Sequence, residues 1–341
     1  MEYLNKRNSL RDLSDEEFEK QVSSFAKEIS ENGFIYDTTS PVDLLKDWKS
    51  LCKKEVTKEK VNIPATCTTG MKIIRARMPH FYAVKNYKGV SLASLWTAEN
   101  LEKALRFNRV YHSTPYVSEV VRSLAFTNGL AKITIYRPLM AKTVVNYFNA
   151  KSVLDVCVGW GGRMLGSKSL YEVSYTGFEP CKKTFDGLCN IRDTLNLTGV
   201  SLYNVPAEEG LFTCIPEDAN YDLALTSPPY YNLEIYSDEE TQSTKKYANY
   251  ETWISGFIKP LVQQVTQRVK YSAWSVKNFK TEKKYNLFDD IVQIHKDLGW
   301  DMLDVVFSMK NSARPGSGTS AGASLEKQKS EENTYVFAKR I

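Results

Sequence analysis

Several features that would announce a function outright are missing from this chain. No apolar run approaches the ~20 residues of a membrane-spanning helix, and the charged start (Glu2, Lys6, Arg7, Arg11, Asp12) is not that of a signal peptide. Histidine is scarce, with three in 341 residues, and the six cysteines (Cys52, Cys67, Cys157, Cys181, Cys189, Cys214) are scattered without metal-ligand spacing. No metal site is therefore expected. Unpaired thiols suit a reducing interior, which places the chain in the cytoplasm. Charge of one sign is not abundant either: 45 basic residues against 40 acidic ones leave a net +5. That balance permits a polyanionic partner without demanding one. There is no internal repeat and no long low-complexity tract.

What remains is an ordinary soluble composition, 42% apolar and 25% charged, long enough for two domains. The first part reads as mainly helical. Ser14-Asp15-Glu16-Glu17 resembles a capping box and opens a helix with Phe18, Val22, Phe25 and Ile29 on one face, ended by Asn32-Gly33. A second helix after Ser40-Pro41 carries Leu44, Leu45, Trp48 and Leu51. Between Ile63 and Val90, Gly70–Arg77 and His80–Lys88 interleave basic and aromatic residues, a mixture that suits phosphates and bases as well as it suits an amphipathic surface. Helices resume over 92–126, where Arg106, Arg109 and Arg122 suit a phosphate backbone and ordinary solvated charges equally well.

The second part alternates. Strands are predicted near 152–157, 174–178, 200–204, 221–226, 269–276, 302–309 and 334–339, with helices at 161–170, 182–195, 250–267 and 286–298. Such alternation predicts an α/β fold with a mostly parallel sheet covered on both faces. A polar loop rich in Ser, Gly, Lys and Glu joins the last two strands.

Two stretches carry chemistry. Ser152–Arg163 is a strand running into Gly159-Trp160-Gly161-Gly162, then a helix. Glycines there permit positive φ and close approach of backbone to a ligand, but the spacing is neither the dinucleotide fingerprint nor a Walker A loop. Glu179, about twenty residues on at the tip of the next strand, stands where an acid accepts bonds from ribose hydroxyls. About seventy residues downstream of the glycine turn, Thr226-Ser227-Pro228-Pro229-Tyr230 ends an apolar strand in a stiff, extended turn. A hydroxyl, free carbonyls and an aromatic ring at that edge suit a flat molecule bearing an amino group.

Asp155-x-x-x-Gly159-x-Gly161-Gly162, Glu179 and Thr226–Tyr230 together resemble the class I S-adenosylmethionine-dependent methyltransferases, and within them the DNA N4-cytosine and N6-adenine branch. Tyr230-Tyr231-Asn232-Leu233 is similar to that branch as well. The resemblance implies a Rossmann-like seven-stranded sheet with its last strand antiparallel over 131–341, behind a mainly helical region 1–130 that would help recognise nucleic acid. It implies S-adenosyl-L-methionine as cofactor, with Pro138, Asp155, Gly159, Gly161, Gly162, Glu179, Glu208 and Thr226 around it. Catalysis would fall to Ser227, Pro228, Pro229 and Tyr230: the Ser227 hydroxyl and Pro228 carbonyl accept from the amine, and Tyr230 stacks on a flipped base. DNA is the implied partner, in an enzyme of bacterial or viral type. Ser227 leans towards cytosine, since adenine-specific members usually carry Asp or Asn there. Recognition would also draw on the 231–249 loop and on Lys310, Arg314, Lys327 and Lys329 of the 310–333 loop. An RNA base-amine methyltransferase and a catalytically inactive nucleic-acid-binding subunit are the alternatives.

Overall fold

The computed structural model describes residues 10–34, 39–111, 117–130, 133–310 and 331–340. Arg314, Lys327 and Lys329 lie outside them. The chain divides into two units that alternate along the sequence. The smaller takes Met1–Thr38, Pro79–Thr134 and Glu234–Tyr236; the larger takes Thr39–Met78, Ile135–Leu233 and Ser237–Ile341. The division is thus no single cut near residue 130, because residues 39–78 fold with the sheet.

In the smaller unit α1 (Asp15–Glu31) starts at the capping box. The Ser14 hydroxyl accepts from the Glu17 amide, and the Glu17 carboxylate accepts from the Ser14 amide. In the larger unit α2 (Pro41–Lys53) starts at Ser40, with proline in the first turn where its missing N–H costs nothing. Next along the chain come β1 (Asn62–Pro64), α3 (Lys72–Arg77), β2 (Lys85–Asn86), α4 (Ala98–Val110) and α5 (Val117–Thr127). In the smaller unit Phe18, Val22, Ala26 and Ile29 of α1 bury against Leu101, Leu105, Val120 and Leu124. The three candidate arginines are used internally: Arg106 pairs with Glu19 and Glu102, Arg109 with Asp15, and Arg122 with Glu119. Arg109 also donates to the carbonyls of Leu10 and Leu13 and covers the Phe18 ring. Arg106 and Arg109 thereby tie α4 to α1, while the Arg122 pair lies within α5. The basic–aromatic stretch likewise turns its apolar members inward, with Ile73, Ile74, Met78, Tyr82 and Val84 all buried.

The larger unit is built on one sheet. Its further elements are α6 (Pro138–Tyr147), β3 (Ser152–Asp155), α7 (Gly162–Lys168), β4 (Ser174–Phe178), α8 (Lys182–Thr194), β5 (Val200–Tyr203), α9 (Ala207–Thr213) and β6 (Tyr221–Thr226). The short β7 (Glu234–Ile235) pairs with β2 in the smaller unit. Then follow α10 (Ser243–Lys246), α11 (Tyr250–Trp253), α12 (Lys259–Thr266), β8 (Val269–Val276), β9 (Phe279–Lys280), β10 (Lys284–Tyr285), α13 (Leu287–Asp297), β11 (Trp300–Lys310) and β12 (Asn333–Lys339). Strand order is β1-β11-β12-β8-β6-β3-β4-β5. The pairs β5–β4, β4–β3, β3–β6 and β6–β8 are parallel, whereas β12 runs antiparallel to both β8 and β11.

The sheet therefore has the antiparallel last strand read in the sequence, plus an eighth strand that was not. β1 adds in parallel to the free edge of β11, with Asn62 opposite Ser308 and Pro64 opposite Lys310. Proline is tolerated there because an outer strand leaves one row of amides unpaired. A π-helical turn, Ile254–Ile258, joins α11 to α12 one residue short of Pro260, which has no amide to donate into the helix. Trp253, Trp274, Leu261, Phe337 and Tyr335 sit in the core between sheet and helices.

Candidate active site

Chain direction across the sheet decides where a ligand can sit. From β3 the order runs outward through β4 and β5 on one side and through β6 and β8 on the other. At that reversal the loops leaving β3 and β6 part, opening a crevice at the carboxyl ends of the strands. The loop after β3 is the glycine turn, and the loop after β6 is Ser227-Pro228-Pro229-Tyr230. Two stretches seventy residues apart thus meet at one place.

The glycine turn rests on a buried charge. Asp155 is wholly buried at the end of β3 and accepts from the Cys157 amide at 3.1 Å, Thr226 Oγ1 at 3.0 Å and the Tyr175 hydroxyl at 2.6 Å. Arg163, in the first turn of α7, donates to it through Nε at 2.8 Å and through its other arm to the carbonyls of Cys157 and Val158. Burial works against the guanidinium charge, but the adjoining Asp155 more than offsets it and raises the Arg163 pKa above its ordinary value. The Tyr136 ring covers Arg163, and its hydroxyl pairs with Thr334 Oγ1 at 2.8 Å. Asp155 and Thr226 consequently shape the turn from behind, with no side chain facing the crevice.

Gly159 and Gly161 have φ of +55° and +83°, the left-handed region that costs an L side chain energy. A Cβ on Gly159 would meet nothing closer than the Cys157 carbonyl at 4.0 Å, so open space adjoins this residue. Gly162 is different. A Cβ there would overlap the Tyr136 carbonyl, so this glycine serves the close packing of α7 on the segment entering α6. Pro138 heads α6 and is itself buried.

Glu179 closes the turn from β4. Its two oxygens accept from the Gly159 and Cys181 amides, each at 2.9 Å. Burial pushes its carboxyl up from 4.5 to about 7, against the pull of those two amides. Each oxygen keeps a lone pair for a further donor. Glu239 reaches the start of α8 beside it, accepting from the Lys182 amide at 3.2 Å and the Cys181 thiol at 3.6 Å. Glu208, in the first turn of α9, pairs with Lys246 at 3.2 Å through Oε1, while Oε2 is buried with no hydrogen-bond partner. A buried, unanswered acceptor is costly unless a ligand supplies the donor.

At the other lip, Ser227 Oγ donates to the Ser275 carbonyl at the end of β8, 3.2 Å away. Its proton is thereby committed, and the lone pairs on Oγ remain available to a further donor. Tyr230 is only 7% exposed. It meets the Phe279 ring at 5.5 Å in an edge-to-face contact, and Lys277 Nζ lies 5.5 Å from its centroid. As the chain stands the ring is packed, and Lys277 would have to swing off before a base lay on it.

A mostly parallel sheet whose last strand runs antiparallel is what the methyltransferase resemblance implied. The fold is a Rossmann-like α/β sheet with an antiparallel last strand and one strand added at its edge. No family model matches the sequence, and no curated protein matches it. Solved structures with a similar fold include a methyltransferase from Pyrococcus furiosus, at 15% identity and TM-score 0.39 over 70% of this chain and 100% of that one. Another is precorrin-6y C5,15-methyltransferase from Geobacter metallireducens, at 13% identity and TM-score 0.38 over 61% and 90%. TrmN from Thermus thermophilus is a third, at 11% identity and TM-score 0.40, covering 59% of this chain and 48% of TrmN.

Arg163, Tyr175, Ser275, Glu239 and Lys246 were not singled out in the sequence. Arg163, eight residues after Asp155 in the first turn of α7, was the one with a readable signal. The others are brought in by sheet pairing and loop placement. Among the described residues no cluster of three His, Cys, Asp or Glu is poised to hold a metal ion, and no described helix is long and apolar enough to cross a membrane.

Proposed function

We propose that this protein is an S-adenosyl-L-methionine-dependent methyltransferase acting on an exocyclic amine of a nucleic-acid base, with DNA as the first substrate to test. The observation that carries the reading is the Ser227–Ser275 hydrogen bond, which commits the hydroxyl's proton and leaves a hydroxyl at the topological switch point as an acceptor.

The residues present fit the cofactor. Open space at Gly159, the Glu179 carboxylate and the unanswered Oε2 of Glu208 supply a place for its amino-acid end, an acceptor for its ribose and an acceptor for its adenine amine. When bound, S-adenosylmethionine supplies a methyl group on a sulfonium, an electrophile that needs no metal.

An aromatic amine is a weak nucleophile because its lone pair is spread into the ring. Accepting its two hydrogens at Ser227 Oγ and the Pro228 carbonyl draws the nitrogen towards a tetrahedral shape and localises that pair. As nitrogen gains positive charge, the same two bonds strengthen, and such charge-assisted bonds contribute about 1.5–3 kcal/mol each. Pro228 and Pro229 stiffen the turn so that the acceptors are in place beforehand. No strong base is required: the amine sheds its proton once alkylated.

The test is transfer of labelled methyl from S-adenosylmethionine to duplex DNA, single-stranded DNA and RNA, followed by nucleoside analysis. Ser227→Ala should lower kcat about tenfold to a hundredfold with cofactor affinity intact. Label confined to RNA would replace DNA in the reading. Cofactor binding with no methylation of any nucleic acid would overturn it.

A further inference from the structure

The site's nucleic-acid reading leaves open which part of the larger unit meets the sugar–phosphate backbone. The hairpin β9–β10 follows β8 directly, and the Ser275 carbonyl that takes the Ser227 proton lies only four residues before Phe279. Four extended residues span at most about 14 Å, so the hairpin starts within a nucleotide or two of the acceptor hydroxyl. It is tied in place from three sides. Thr281 Oγ1 donates to Asn232 Oδ1 at 3.4 Å, in the loop that follows Tyr230. Asn278 bonds both Asp289 and the Phe288 amide at the head of α13. Phe279 and Tyr285, paired across the hairpin, stack at 4.9 Å and bury against Tyr230, Tyr231 and Tyr250.

The other face carries charge. Lys280 and Lys284 are direct cross-strand partners, and both are exposed, as is Lys283 in the connecting turn. Like charges directly opposite on a hairpin repel and destabilise it. No carboxylate among the described residues pairs with Lys277, Lys280, Lys283 or Lys284; the nearby acids Asp289 and Asp290 are engaged by Asn278 and Tyr250, leaving Glu282 in the turn. The aromatic face thus fixes the hairpin beside the target-base lip while Lys280 and Lys284 face outward with no carboxylate partner among the described residues; Lys283 Nζ lies 5.5 Å from the Tyr285 ring centroid, an exposed contact it can leave for an anion.

We infer that the β9–β10 hairpin is a phosphodiester clamp: Lys280, Lys283 and Lys284 hold the nucleic-acid backbone flanking the base presented to Ser227. This rests on the nucleic-acid reading of the site. A bound phosphate relieves the Lys280–Lys284 repulsion. Lys277, displaced from the Tyr230 ring when a base stacks there, is close enough to join the same backbone.

The experiment is anisotropy titration of fluorescent DNA and RNA oligonucleotides against salt, with the full chain and the Lys280→Ala/Lys283→Ala/Lys284→Ala variant, alongside calorimetric binding of S-adenosylmethionine. Each lost phosphate contact lowers the slope of log affinity against log salt by about 0.7–0.9. The triple variant should therefore lose about two units of slope and about tenfold or more in affinity, with cofactor binding retained and a melting temperature that is unchanged or higher. The DNA and RNA arms identify which backbone is held. The Lys→Arg triple should keep both slope and affinity. If the alanine triple fails to bind cofactor, Lys280→Gln alone decides, with a slope loss of about one expected. A wild type that binds and methylates nucleic acid, with unchanged slope in the variant, would overturn the clamp and leave the methyltransferase reading standing. A wild type that binds cofactor but no oligonucleotide would remove both, as would hairpin-dependent binding to phosphatidylserine vesicles alone.

Discussion

Arg163 Nε lies 2.8 Å from Asp155 Oδ2, and neither side chain is more than 5% exposed. The pair ties the first turn of α7 to the end of β3 and gives the glycine turn its shape. Removing one partner leaves the other as an uncompensated charge in the interior, which costs about 3–5 kcal/mol. Asp155→Ala and Arg163→Met should each lower unfolding free energy by that amount in urea titrations. Thr226→Val, which removes one hydrogen bond to the same carboxylate, should cost about 1 kcal/mol.

Glu179 and His295 give opposite pH dependences. Burial raises the Glu179 carboxyl from 4.5 to about 7, so the folded state holds that proton more tightly than the unfolded chain does. Its contribution is present at low pH and is lost as pH rises through about 7. His295 is buried between Ser272, the Ile291 carbonyl and the Phe337 ring, and burial lowers it from 6.5 to about 4. The unfolded chain takes that proton first, so this contribution is present above 6.5 and is lost as pH falls towards 4. The two effects, up to about 3 kcal/mol each, offset one another between pH 4.5 and 6.5. Melting curves of Glu179→Gln should therefore fall more steeply on acidification than those of the wild type.

The charged Glu179 is also the better acceptor for ribose hydroxyls. Cofactor affinity should rise as pH passes upward through about 7. Calorimetry on Glu179→Gln should show a weaker affinity that no longer changes with pH in that range.

Glu208 tests the adenine end. Lys246 holds Oε1, so in Glu208→Gln the carbonyl will face Lys246 and the amide N–H₂ will take the place of the unanswered Oε2. Under the proposed function, a donor then confronts the adenine amine where an acceptor is required. Cofactor affinity should fall about tenfold, the worth of one such bond, with the melting temperature of the free protein unchanged or raised.

Gly162→Ala places a methyl group into the Tyr136 carbonyl. Both sides of that contact are backbone, so relief requires α7 to shift against the chain entering α6. A loss of about 1–3 kcal/mol is expected by chemical denaturation, accompanied by weaker cofactor binding as the turn moves with its helix.

Local signals in the sequence were sufficient for much of this. Apolar strands bounded by turn residues marked β3, β4, β5, β6, β8, β11 and β12 to within a few residues, and Ser14 and Ser40 marked two helix starts. Periodicity and capping act over a few residues, so they are written where they operate. The same holds for the glycine turn and the Pro-Pro turn, whose backbone demands only particular residues meet. Other relationships needed the folded chain. Asn62–Pro64 is too short to read as a strand and becomes one only because β11 offers a free edge 246 residues later along the chain. Whether an arginine faces solvent or a carboxylate depends on which helix lies beside it, which is why Arg106 and Arg109 read equally as phosphate contacts or solvated charges in the sequence and are ion-paired to α1 in the fold. The Ser227–Ser275 bond and the Asp155–Arg163–Tyr175 cluster likewise depend on strand order and on burial. Sequence alone determined seven strands of the main sheet and the two turns of the site. Tertiary structure decided which side chains face the crevice and which stand behind it, because a hydrogen bond or a buried charge is settled by neighbours distant in the chain.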